Sequence, residues 1–218
     1  MNKLALTSTA LLLLAAGCVT GNTRVAGTGP VETREVPVTT VERVHVSGSA
    51  DVRITASTGQ TRATLTAPAD VLDALDVRTD GGKLVVGTKP GLWIDHRVIV
   101  DVQTPKIVGV GVSGSAKVNV TGVSADLFEV DVSGSAVVTA AGIANEARVR
   151  VSGSAAVNFL DLTADAANVG VSGSADVKLT VVKSLTSSVS GSAKIEYRGE
   201  PTQVQSSSSG SARIVQIK

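Results

Sequence analysis

Ser-Gly-Ser-Ala begins at Ser47, Ser113, Ser133, Ser152, Ser172, Ser190 and Ser209. A serine set beside glycine this often offers two kinds of chemistry: a nucleophile, or a glycine-rich cradle for phosphate. A nucleophilic serine needs a base within hydrogen-bond reach and a group to orient that base. The histidines of the chain are His45 and His96. His45 shares the outward face of its strand with Ser47, but neighbours on one face of a strand stand roughly 6.6–7 Å apart. That is too far for a direct bond, and His45 reads as a solvated surface histidine. Gly109-Val110-Gly111-Val112-Ser113-Gly114 matches GxGxxG in its letters. A dinucleotide site requires that turn to close a strand and open a helix, and here the strand pattern continues through it. It reads as repeat sequence, and no cofactor is expected.

The acidic residues point no more firmly to catalysis. The outward position just after each Ser-Gly-Ser-Ala reads Asp51, Lys117, Val137, Ala156, Asp176, Lys194 and Arg213. Asp176 and Lys194 are expected as neighbours in an exposed ion pair worth 0 to about 1 kcal/mol. Asp161 and Asp165 offer two carboxylates on one turn, whereas a hard cation wants about six or more oxygens. No metal site is expected.

The elements that position these residues follow from period and parity. The last six copies of the motif are 20, 19, 20, 18 and 19 residues apart. Self-similarity at such a period marks a solenoid, whose units bury their apolar faces against their neighbours. Around Ser152, residues Val149, Val151, Gly153, Ala155, Val157 and Phe159 fall on one side of a period-two alternation. Arg148, Arg150, Ser152, Ser154, Ala156 and Asn158 fall on the other. Alternation of this length is a strand signal. It places the serines outward and the Gly and Ala inward, at a bend too tight for larger inner side chains. Val123, Ile143, Leu162 and Val182 recur as a second inward column on a shorter side. The expected fold is all-β, a parallel β-helix of about 19–20-residue coils rising about 4.8 Å each. A β-prism of antiparallel hairpins is disfavoured, because two-residue hairpin turns are missing between matching strands.

Residues 55–106 break the pattern. They read as a short helical turn at Pro68–Leu75, a hairpin over Val77–Val86 and a strand at Val98–Val102. This β-rich insertion is expected to cap the first coil, since a solenoid end exposes unpaired edges. The regular coils then fill 107–218, and the hydrophilic Ser206–Ser209 closes the far end.

The chain has 218 residues, net charge +1, 43% hydrophobic and only 2% aromatic residues. Balanced charge and scarce aromatics argue against a nucleic-acid partner. Residues 1–18 have the shape of an export signal: Lys3, an apolar Leu4–Ala16, then small residues before Cys18. Leu14-Ala15-Ala16-Gly17-Cys18 resembles a bacterial lipobox, and Cys18 is the sole cysteine. Lipidation of Cys18 would anchor the protein in a membrane. Residues 19–40, rich in Gly, Thr and Pro without apolar periodicity, are expected as a flexible tether, and 41–218 as the folded body.

The body resembles a bacterial family, the putative auto-transporter adhesin, head GIN domain. The resemblance rests on Val44-x-Val46-Ser-Gly-Ser-Ala-Asp-Val52 and on Gly82-Lys-Leu-Val-Val86. It extends to the serial Ser-Gly-Ser-Ala units and to Ser192–Pro201 before the last of them. It implies a right-handed β-helix-like fold on an exported or lipid-anchored protein, with no catalytic residues to carry over. The combined expectation is a non-enzymatic cell-envelope lipoprotein, in the outer membrane where the organism has one, serving as an adhesin or surface-binding scaffold. Its candidate binding feature is a surface ladder of hydroxyls: Ser113, Ser115, Ser133, Ser135, Ser152, Ser154, Ser172, Ser174, Ser190 and Ser192. Its partner would be a surface glycan or an envelope protein. The competing expectations are a polysaccharide-acting enzyme and an envelope-stress or structural protein with a protein partner.

Overall fold

Strands with alternating Val cannot stay alone in water, because one face of each is apolar and both edges carry unpaired backbone groups. The computed structural model describes residues 23–218 and is almost wholly strand. The expected export signal and Cys18 lie outside the described residues.

Eleven strands and one short helix follow in order. They are β1 (Thr23–Val25), β2 (Val31–Val36), β3 (Arg43–Ala56), β4 (Arg62–Pro68), α1 (Ala69–Ala74), β5 (Leu75–Asp80) and β6 (Lys83–Thr88). Then come β7 (Leu92–Ile94), β8 (Val98–Thr104), β9 (Gly109–Gly134), β10 (Val137–Arg198) and β11 (Gln203–Gln216). Drawn out straight, the 62 residues of β10 would run about 200 Å. They fold back instead, because glycines with positive φ bend the strand at Gly142, Gly153, Gly173 and Gly191.

The repeats meet in register and in parallel. Ser47-Gly48-Ser49-Ala50 of β3 lies opposite Ser113-Gly114-Ser115-Ala116 of β9. Ser133 and Gly134 of β9 lie opposite Ser152 and Gly153 of β10. Ser190-Gly191-Ser192-Ala193 of β10 lies opposite Ser209-Gly210-Ser211-Ala212 of β11. Register is strict because a one-residue slip would turn every Val to solvent. Identical residues therefore stack into columns, and the inward columns form one core. Val46, Val112, Val132, Val151, Val171 and Val189 make one such buried column, and Ala50, Ala116, Ala136, Ala155, Ala175 and Ala193 another. The two phenylalanines of the chain, Phe128 and Phe159, meet inside this Val/Ala core with ring centroids 5.9 Å apart.

The glycines correct the expected frame. The alanine of each motif is buried, apart from a half-buried Ala212, but Gly48 and Gly210 are exposed and the five glycines between them only half-buried. Lack of room inside does not select them. Each has φ between 100° and 132°, a region that side-chain-bearing residues avoid. A Cβ on Gly153 would also stand 2.5 Å from the carbonyl oxygen of Gly134 in the preceding repeat. The crowding runs between repeats, not toward the core.

The second inward column is also corrected. Val123 and Leu162 are buried, but Ile143 is 63% and Val182 46% exposed. The register shifts by one residue between Ala140 and Gly142, so that Gly142, not Ile143, lies opposite Val123. Ile143 turns outward, and Ala144 and Val181 are buried beside the two exposed residues.

At the N-terminal end, β6 and β8 pair in parallel with the edge of β3 that β9 leaves free. β5 forms an antiparallel hairpin with β6, β4 runs antiparallel to β8, and β2 antiparallel to β4. The span expected as a tether is built into this end from Thr23 onward. β1 pairs with β7 and β2 with β4, while the Asp70 carboxylate accepts hydrogen bonds from the amides of Gly27, Thr28 and Gly29 at 3.1–3.3 Å. Backbone pairing holds these residues, and it needs no apolar pattern to do so. At the other end, among the described residues, β11 has no further strand beside it. Its Ser206 and Ser208, above the buried Ser187 and Val189, are exposed, so the last repeat meets water with hydroxyls.

Candidate functional site

The positive-φ glycine separates the two serines that flank it. Ser113, Ser133, Ser152, Ser172 and Ser190 line one open groove of about 560 Å³. Ser115, Ser135, Ser154, Ser174 and Ser192, with Ser211, line a second of about 810 Å³. Both columns exist as columns, but among the described residues their hydroxyls make no hydrogen bond to one another. Apart from Ser113, which meets His45, these hydroxyls are left for water or a ligand.

The first groove is bordered by His45, Asp131 and Arg150, and the GxGxxG letters acquire a role beside it. A Cβ on Gly109 would stand 2.7 Å from an Arg43 guanidinium nitrogen, and one on Gly111 would overlap the His45 ring. The missing side chains let two residues of β3 reach across β9. Arg43 passes over Gly109 to Glu129, one repeat further on, at 2.8 Å. Arg148 approaches the same carboxylate from the following repeat at 2.9 Å. His45 lies over Gly111 with its Nε2 3.4 Å from Ser113 Oγ. Sequence reasoning placed His45 beside Ser47 in its own strand and missed this contact between repeats.

Burial pushes the His45 imidazole below its usual value; nearby Lys83 adds to that and Asp131 opposes it. The ring is therefore neutral near pH 7, able to accept from the Ser113 hydroxyl or donate to it. Even so, the arrangement falls short of a catalytic triad. The Asp131 carboxylate is engaged by Arg150 at 3.4 Å, and among the described residues no hydrogen bond orients the other ring nitrogen of His45.

Glu129 has a testable consequence. The Arg43 hydrogen bond, helped by that of Arg148 and opposed by burial, holds its carboxyl below the usual glutamate range. A depressed folded-state value stabilises the fold above the unfolded value of about 4.3, and that contribution disappears as pH falls through the folded value. Glu129→Gln is expected to be less stable than the parent near pH 7. In urea unfolding curves the gap should narrow steadily below about pH 4. A gap that stayed constant down to acid would mean that packing, not charge, is lost.

The remaining acidic candidates are dispersed. Lys194 pairs with Glu196 at 2.7 Å, and Lys178 joins that carboxylate at 3.2 Å. The expected Asp176–Lys194 pair is replaced by this cluster, because the residue two positions along the same strand reaches Lys194 more directly. Asp165 is bound by Lys183 at 2.8 Å, which occupies it with an ammonium group rather than with Asp161. Among the described residues no three His, Cys, Asp or Glu side chains gather as metal ligands do. The second groove is bordered by Arg97, Lys117, Asp176 and Lys194 and floored by small residues such as Ala156.

This fold has counterparts among solved structures. A putative adhesin from Bacteroides fragilis superposes with a TM-score of 0.71 at 18% identity, over 88% of this chain and 100% of that one. A putative lipid binding protein from Parabacteroides distasonis gives 0.55 at 20% identity, over 90% and 100%. A putative adhesin from the same species gives 0.55 at 17%, over 89% and 100%. At these identities the likeness concerns the fold. No curated protein matches the chain by sequence. The family model described as "putative auto-transporter adhesin, head GIN domain" matches residues 40–201, spanning the first motif, the capping strands and five further motifs, and the chain belongs to that family.

Proposed function

We propose that the protein is a non-enzymatic envelope lipoprotein whose body is a right-handed parallel β-helix that binds surface glycan along its serine-lined grooves. The in-register stacking of motif on motif supports the winding. The lipobox-like Leu14–Cys18 supports an anchor, and membership of an adhesin-type family agrees with a surface role. One observation carries the binding reading: apart from Ser113, which His45 engages, the outward serine hydroxyls have no hydrogen-bond partner among the described residues, beside short Ala and Val137 side chains that leave the grooves open. Sugars present hydroxyl arrays that such donor–acceptor groups can match. The dispersed carboxylates and the incomplete Ser113–His45 pair support binding over turnover.

The test uses the soluble Cys18→Ser protein on a glycan array, followed by a reducing-sugar assay on every glycan retained. Retention without new reducing ends is the expected result. Release of reducing ends would replace the binding reading with an enzymatic one. Absence of retention on any glycan would defeat it. Separately, Cys18→Ser is expected to move the protein from the membrane to the soluble fraction, and unchanged membrane association would remove the lipid anchor.

A further inference from the structure

Trp93 is the sole tryptophan of the chain and is 52% exposed. It lies on β7, which pairs in parallel with β1 in a two-stranded sheet apart from the main one: Thr23 opposite Leu92, Arg24 opposite Trp93, Val25 opposite Ile94. Val25 and Ile94 pack against the core. By strand alternation, Arg24 and Trp93 then point the other way. The Arg24 guanidinium sits 5.6 Å from the indole centroid and is held by Asp95 at 2.6 Å. An aromatic of this size, kept outward under an arginine, leaves half of its surface to solvent.

We propose that this Arg24–Trp93 face docks on the headgroup region of the bilayer that holds the Cys18 anchor; the proposal rests on that anchor. The chain length supplies the argument. Cys18 and Thr23 are five residues apart, which spans at most about 18 Å. Because β1 begins at Thr23, no long tether separates anchor and body, and Trp93 stands one strand spacing from Arg24. A linker this short holds the face near the surface at an effective concentration in the mM range. Weak intrinsic affinity is then enough. Tryptophan favours the interface, where its ring is apolar and its N–H wet, and Arg24, paired with Asp95 through one nitrogen but exposed over most of its side chain, keeps N–H donors for headgroup phosphates. Docking this end would leave the serine-lined grooves clear of the bilayer.

A sole tryptophan makes the test direct. The lipidated full-length protein is reconstituted into phosphatidylethanolamine–phosphatidylglycerol vesicles whose acyl chains carry bromine near the headgroup. Its emission is compared with that of the soluble Cys18→Ser protein. The expected result is flotation with the vesicles, loss of half or more of the emission to bromolipid, and a severalfold drop in acrylamide quenching. Flotation with unquenched emission and unchanged acrylamide access would overturn the docking while leaving the anchor intact. Shielding from acrylamide without bromolipid quenching would also overturn it, by pointing to a second copy as the occupant. Failure to float would overturn the anchor, and the docking with it.

Discussion

Gly153→Ala is expected to destabilise the protein on the order of 2–5 kcal/mol, adding strained backbone to overpacking. At φ 131° an alanine is in a region where its Cβ is disfavoured. That Cβ also has nowhere to go, because the atom it meets is the backbone oxygen of Gly134 in the repeat behind it. Neither partner is a flexible side chain, so relief requires prising two repeats apart. Two controls make the result specific. Ser154→Ala removes an exposed hydroxyl without a partner in the fold and should stay within about 0.5 kcal/mol. Gly170→Ala lies outside the motif, where the nearest atom to a new Cβ is the Val149 oxygen at 4.0 Å, and should be equally silent. Denaturant melts in which Gly153→Ala and Gly170→Ala cost the same would contradict the stacked-glycine geometry.

Phe159→Ala should cost about 3–5 kcal/mol, the range for a large aromatic removed from a packed core. Phe159 is 1% exposed and faces Phe128 in an interior otherwise built from Val, Ala, Leu and Ile. The void cannot collapse easily, since the strand that carries Phe159 is tied by neighbours at fixed strand spacing. Ile143→Ala is the informative comparison. By sequence period Ile143 belongs inside, and there its truncation would cost about 2–5 kcal/mol. At 63% exposure it should cost no more than about 0.5 kcal/mol. A large loss at Ile143 would restore it to the interior and refute the register shift at Ala140–Gly142.

These two experiments separate what was legible from what was not. The 19–20-residue period and the Val alternation were enough to call for strands with serines outward, alanines inward and successive motifs side by side. The hairpin of β5 and β6, the turn of α1 and strand β8 also follow from local signals: Gly81-Gly82, Pro68 and the Val98–Val102 run. Each of these depends on the direction of a side chain relative to its own strand, and that direction is written in the order of residues. The GxGxxG letters lie inside a strand, as their alternation suggested, but the space their glycines clear for Arg43 and His45 was hidden.

What stayed hidden depends on relations between strands. Gly153 is required by a torsion angle and by an oxygen 19 residues earlier; no alternation reports either, so the glycines were assigned to the wrong cause. Ile143 left the core because one residue was absorbed at a bend, which shifts parity without changing composition. His45 found Ser113 and Arg43 found Glu129 across 68 and 86 residues, through registers that a single strand does not encode. Strands β1 and β2 joined the fold chiefly by backbone pairing, with only Val25 and Val36 packed against the core, too few to leave an apolar periodicity. The order of residues by itself determined which way side chains face and how often the pattern returns. Only the tertiary structure decided which atoms meet between repeats, because those meetings are set by register and backbone torsion, properties of paired strands rather than of any one.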